Sequence, residues 1–120
     1  MKDVVLVMGA SVNTERYSNK AIKLLRKNQK NVVAFGLNEG IIDDVEIFNK
    51  LIKYDDIHTV SLYLSPKNQP SYYNYILSLE PKRVIFNPGT ENADFSKILN
   101  EKNIKVEENC TLVMLNFGIF

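Results

Sequence analysis

A chain of 120 residues, 45 % hydrophobic and 24 % charged, has the length and make-up of one globular domain spanning residues 1–120. A net charge of +1 argues against a general nucleic-acid binder, and the apolar runs are too short to cross a bilayer. A single cysteine, Cys110, excludes an internal disulfide and suits a reducing cytoplasm, and with a single histidine there is no zinc-type ligand set.

Met1-Lys2-Asp3 leads straight into the apolar run Val4–Met8, so no leader peptide is expected. Val4–Met8 reads as a strand buried on both faces of a parallel sheet. Ser18–Asn28 reads as a helix with Ser18 as N-cap and Ala21, Ile22, Leu24 and Leu25 turned to the core. Asn31–Phe35 is a second strand, Gly36–Gly40 a loop, and Ile41–Ile47 a short acidic edge strand. After a connection over Leu51–Asp56 comes a strand, Thr59–Leu64, broken by Ser65-Pro66. Asn68–Leu79 reads as helical, with Tyr72, Tyr73, Ile76 and Leu79 at helical spacing. Arg83–Phe86 is a strand, and Asn87-Pro88-Gly89-Thr90 carries turn chemistry. Asn92–Glu101 is a helix and Ile104–Val106 a last parallel strand, while Cys110–Leu115 fits either a short helix or a strand.

Strands that alternate with single helices imply βαβ crossovers and a parallel sheet. The fold expected is α/β: a Rossmann-like, doubly wound parallel sheet of five to six strands with helices on both faces. Ligands of such sheets bind outside the carboxyl ends of the strands. Here those ends hold residues 9–19, 36–40, 65–69 and 87–91, which contain most of the Gly, Pro, Ser and Asn of the chain.

Charge is uneven along the chain. Residues 1–30 carry seven Lys/Arg against Asp3 and Glu15, a net of +5, and residues 31–60 carry −4. Lys20, Lys23, Lys27 and Lys30 recur at spacings of three and four, which is the solvated stripe of a helix. Arg16 lies outside that stripe. Gly9 lets a ligand approach the backbone, Ser11 offers a hydroxyl and an N–H, and the first helix points its N-terminus, with Ser18 and Asn19, at the same space. Arg16 adds a forked contact, and together these residues build an anion cradle.

A dinucleotide fingerprint would need G-x-G-x-x-G, but only Gly9 is present, with Ser11 and Thr14 in the later places. The acid that would hold a ribose at the end of the second strand is replaced by Gly36-Leu37-Asn38. A standard NAD site and a Walker A motif are therefore not expected. No catalytic constellation is evident. His58 sits at the amino end of its strand, away from the expected site, and the acidic pairs Asp43-Asp44 and Asp55-Asp56 point their side chains apart. Tyr72, Tyr73 and Tyr75 have the spacing of packing residues rather than of a base-stacking platform, and Cys110 reads as a small buried side chain more readily than as a reactive thiol.

Gly9-Ala10-Ser11, then Glu15-Arg16, then Ser18-Asn19, resembles the opening of the small stand-alone CoA-binding domain proteins, a Rossmann-like family related to the CoA-binding domain of succinyl-CoA synthetase. The likeness continues through Gly36-Leu37-Asn38, Ser65-Pro66, Asn87-Pro88-Gly89-Thr90 and Cys110, nearly end to end. It implies a nucleotide-binding module for coenzyme A or an acyl-CoA, without catalytic machinery of its own. Gly9, Ala10, Ser11, Arg16 and Ser18 would hold the phosphates, with Asn19 beside them. Gly36 would border the adenine-ribose end. Leu64, Ser65 and Pro66 would line the middle, and Pro88 and Gly89, within the loop from Asn87 to Thr90, would flank the pantetheine arm. The second loop departs from the family in lacking its usual proline. The other readings of the same residues are a module for another nucleotide, such as NADP or a nucleotide sugar, and a Rossmann-like interaction protein that has lost its ligand. An enzyme is the least supported class.

Overall fold

The structure is a computed structural model that describes residues 1–120. Seven strands form one sheet: β1 (Val4–Met8), β2 (Val32–Phe35), β3 (Gly40–Ile42), β4 (Val45–Phe48), β5 (Ile57–Leu62), β6 (Arg83–Phe86) and β7 (Lys105–Glu108). The helices are α1 (Tyr17–Lys27), α2 (Tyr73–Ser78), α3 (Ala93–Glu101) and α4 (Thr111–Asn116).

The sheet order is β3-β4-β2-β1-β5-β6-β7, and every pairing is parallel except β3 with β4. The five to six strands expected become seven because the acidic stretch around Asp43-Asp44 is not one edge strand. It is a hairpin whose turn residue Asp43 takes a positive φ of 53°, a conformation Asp tolerates better than most residues.

All five residues of β1 are buried, as a central strand covered on both faces requires. Val4, Leu6 and Met8 join Val60, Leu62 and Phe86 under α2 and α3, whose Ile76, Phe95 and Leu99 are fully buried. Val5 and Val7 face the other way, against Ile22 and Leu25 of α1 and Leu115 of α4. One strand thus supplies both cores by alternation alone.

Several boundaries differ from those expected. Helix α1 begins at Tyr17, with Arg16 in the cap position and Ser18 inside the first turn, 3 % exposed. Segment 66–72 forms two 3-10 turns, Pro66–Asn68 and Pro70–Tyr72, because Pro70 has no N–H with which to continue the first turn as a helix. β5 begins at Ile57 and ends at Leu62, leaving Tyr63 and Leu64 in the following loop. Thr111–Asn116 settles as a helix.

Candidate functional site

Chain order places β2 on one side of β1 and β5 on the other. The segments leaving β1 and β5 diverge at the carboxyl edge, and a cleft of about 270 Å³ opens there. Its lining comes from three loops: Gly9, Ala10, Ser11, Val12 and Arg16 after β1, Phe35–Asn38 after β2, and Tyr63 and Leu64 after β5. A larger hollow of about 700 Å³ lies at the opposite edge, between the ends of α2 and α3.

Close backbone approach builds the cleft floor. Gly9 has a φ of +96°, and a Cβ there would lie 3.0 Å from the Tyr63 carbonyl. A Cβ on Gly36 would lie 2.2 Å from the Ala10 carbonyl oxygen. The N–H groups of Gly9 and Ala10 both donate to the Phe35 carbonyl at 2.9 Å, so they are committed to the fold rather than open to a ligand.

The long polar connection from Ser11 to Arg16 is stitched from within. The Ser11 hydroxyl accepts from the Asn13 N–H, and Asn13 Oδ1 accepts from the Glu15 N–H. The Arg16 N–H then donates to the Asn13 carbonyl at 3.0 Å. Asn19, 2 % exposed, donates its amide to the Ser11 carbonyl at 3.0 Å and ties the loop to α1, while its buried Oδ1 has no partner.

What this leaves open is specific. No side chain caps α1, since arginine has no acceptor to offer its first N–H groups. The backbone N–H groups of Ser11, Val12, Tyr17 and Ser18 make no hydrogen bond within the chain. The ion pairs of the chain are Arg26–Asp44, Arg83–Glu107 and Lys105–Glu107, so the exposed Arg16 guanidinium has no acid of its own. Unpaired donors, a helix N-terminus and an unpaired guanidinium are groups that can receive an anion.

The expected site residues fall into three groups. Gly9, Ala10, Ser11, Arg16, Gly36 and Leu64 line the cleft. Ser18 and Asn19 lie beneath it, buried. The remaining ones sit farther along the same edge. Ser65 and Pro66 open the first 3-10 turn, where the Ser65 hydroxyl accepts from Asn68 Nδ2. Pro88 and Gly89 are exposed. Asn87 and Thr90 are buried and internally engaged. Asn87 Nδ2 donates to the Ser61 hydroxyl and the Leu62 carbonyl, its Oδ1 accepts from the Thr111 N–H, and the Thr90 hydroxyl donates to the Asn87 carbonyl.

Val12, Leu37 and Asn38, from the loops expected at this edge, and Phe35 and Tyr63 also line the cleft and are not among the expected site residues. Their adjacency to Gly9, Gly36 and Leu64 was the available signal. Burial pushes the Tyr63 phenol up to about 12, against the opposing pull of the Thr111 and Ser61 hydroxyls. The other unforeseen residue is Gln69, fully buried, whose Nε2 donates to the Leu64 and Thr90 carbonyls and whose Oε1 accepts from Asn92. Asn92 in turn caps α3 by accepting from the Phe95 N–H, so the loops after β5 and β6 are joined into one rim. The tyrosines pack internally: Tyr73 stacks on Phe95 with centroids 4.1 Å apart, Tyr72 meets the edge of Phe35, and the Tyr75 hydroxyl donates to the Ile52 carbonyl.

The model of a protein family described as a CoA binding domain matches residues 3–116 of this chain. No match is found among curated proteins. A crystal structure described only as that of an uncharacterized protein is 42 % identical, with a TM-score of 0.96, covering 100 % of this chain and 99 % of that one. A protein from Thermus thermophilus, 19 % identical, superposes with a TM-score of 0.86 over 99 % of this chain and 91 % of its own. A hypothetical protein from Pyrococcus horikoshii OT3, 24 % identical, gives 0.84 over 98 % and 83 %. The last two are alike in fold.

Proposed function

The chain belongs to the CoA binding domain family, and from that premise we propose that it binds coenzyme A or an acyl-CoA as a nucleotide-binding module without chemistry of its own. The observation that carries the reading is the cleft at the β1/β5 divergence, where Arg16 and the uncapped N-terminus of α1 present donors with no internal partner. Coenzyme A brings a pyrophosphate and a ribose phosphate, which are the groups such donors hold best.

The cleft of about 270 Å³ lies just below the usual range for ligand pockets, roughly 300–1,000 Å³. It therefore suits the phosphate-bearing part of the cofactor, with Ser11 and Arg16 on the phosphates, Gly9 and Ala10 as the floor beneath them and Gly36 toward the ribose. The remainder of the ligand would run along the joined rim past Leu64, Ser65 and Pro66 toward Pro88 and Gly89. Ser18 and Asn19 then contribute through the backbone and through loop support, since their side chains are buried.

A thermal-shift panel of CoA, acetyl-CoA, NAD, NADP and ATP tests the proposal. A ligand at about 100-fold over its Kd stabilises by roughly 2.7 kcal/mol, a shift of several degrees for a chain of this size. CoA or acetyl-CoA should give that shift and NAD should not. A shift with NADP alone would replace the proposal with a phosphorylated-ribose site of another kind.

A further inference from the structure

At the amino-terminal edge of the sheet, opposite the cleft, a hollow of about 340 Å³ is lined by Asp3, Val5, Lys30, His58, Thr59, Lys82, Arg83 and Phe120. We infer that this hollow is a second anion site, built for a compact doubly charged oxyanion such as a phosphate or a phosphomonoester.

Arg83 is the anchor. It is 8 % exposed, and its Nη1 reaches Glu107 at 3.5 Å and a main-chain oxygen of Phe120, the last residue of the sequence, at 3.4 Å. Nε donates to the Thr59 hydroxyl at 3.0 Å, and Nη2 makes no hydrogen bond. A buried guanidinium whose one carboxylate partner stands at 3.5 Å on Nη1, with Nη2 unpaired, is only partly compensated. The Phe120 ring adds to that compensation, with Arg83 Cζ 4.6 Å and Lys30 Nζ 5.7 Å from its centroid. A face of aromatic ring is nevertheless a poor substitute for an anion between two cations and Lys82.

The histidine belongs to the same arrangement. Its Nδ1 lies 2.8 Å from the Thr59 hydroxyl, which already accepts from Arg83. The hydroxyl keeps one proton to give, Nδ1 lies within its reach, and the tautomer that accepts it carries the ring proton on Nε2 as a further donor. The charged groups facing the ring come from every neighbouring segment: Arg83 and Lys82 at the start of β6, Lys30 before β2, Asp3 before β1, and Asp56 and Glu80 on the side away from Arg83. Burial and then Arg83 hold the ring below its ordinary titration range, with Lys82 and Lys30 acting in the same sense and Asp3 opposing them.

Because His58 is the only histidine in the chain, its Cε1–Hε1 signal in an NMR spectrum reports on this hollow alone. Titrations of the full chain with inorganic phosphate and with glycerol 3-phosphate, against chloride at matched ionic strength, should move that signal saturably. They should also raise the His58 midpoint by about one pH unit. Lys82→Ala and Lys30→Ala, both exposed positions, should each raise the half-saturating concentration about tenfold. Arg16→Ala, at the opposite edge, should leave the response intact. Tighter saturation by glycerol 3-phosphate assigns the site to a monoester, and equal or tighter saturation by phosphate assigns it to the free ion. A His58 midpoint that is the same in both oxyanions as in chloride, or a response that survives both lysine changes, overturns the inference.

Discussion

Arg26 is held by Asp44 through hydrogen bonds of 2.8 and 2.7 Å and donates to the Lys30 carbonyl, while Arg16 at the other end of α1 has no partner inside the chain. The contrast separates a structural arginine from one available to a ligand. Arg16→Ala should therefore leave the fold within about 0.5 kcal/mol of wild type, yet weaken CoA binding by about 1–3 kcal/mol through lost charge-assisted hydrogen bonds. Calorimetric titration checks this, and an unchanged Kd would remove Arg16 from the site. Gly36 tests the opposite kind of residue. Its Cβ would meet the Ala10 carbonyl oxygen at 2.2 Å, and the Ala10 N–H is itself bonded to the Phe35 carbonyl, so the two segments cannot part without breaking the floor of the cleft. Gly36→Ala should cost about 2–3 kcal/mol in urea denaturation, and a wild-type midpoint would show that the approach is looser than described.

Helix α1 ends in a Schellman turn without the usual glycine: Lys30 N–H donates to the Leu25 carbonyl, Gln29 N–H to the Arg26 carbonyl, and Gln29 takes a φ of 61°. α3 ends the same way, with Asn103 at 61°. Glutamine has no local hydrogen bond that favours this conformation, as asparagine does. Gln29→Gly should accordingly stabilise by about 0.5–1 kcal/mol, raising Tm by roughly 2–6 °C, whereas a lower Tm would mean that the glutamine chain contributes packing there. The same local chemistry explains what could be read from the sequence. β1, β6 and α3 announce themselves through an unbroken apolar run, a short apolar run and an asparagine cap, all local signals. The β3–β4 hairpin does not, because its strands are short and its turn is two aspartates rather than Asn-Gly. Propensity points to Ser18 as the cap of α1, but the stitched loop from Ser11 to Arg16 fixes the cap two residues earlier, at Arg16, and Ser18 is buried in the first turn. For the site, the glycines and Arg16 were legible as residue types. The cleft-lining Phe35 and Tyr63, and the rim made by Gln69, depend on which strands become neighbours, which no local pattern contains.

Across the whole molecule the sheet carries cationic donors at both edges: Arg16 and the α1 terminus at the carboxyl edge, and Arg83, Lys30 and Lys82 at the amino edge. The second edge gives the fold a pH dependence whose sign follows from His58. The unfolded histidine titrates near its ordinary value of 6.5, and the folded one lower, because burial and the Arg83 charge disfavour its cation. Between those two values the unfolded chain binds the extra proton. Stability contributed by the neutral ring is thus complete above about pH 6.5, falls as pH drops through that window, and levels off once both states are protonated. His58→Asn keeps an acceptor for the Thr59 hydroxyl but cannot titrate. Urea midpoints measured at about pH 7.5 and pH 5.5 should show a larger drop for wild type than for His58→Asn, the difference isolating this group from the carboxylates. Phosphate at saturating concentration should shrink the wild-type drop, because an anion in the hollow favours the protonated ring in the folded state. Equal drops for the two proteins would mean that the imidazole is as free to ionise in the fold as in the open chain, and the hold of burial and Arg83 on the ring would have to be abandoned.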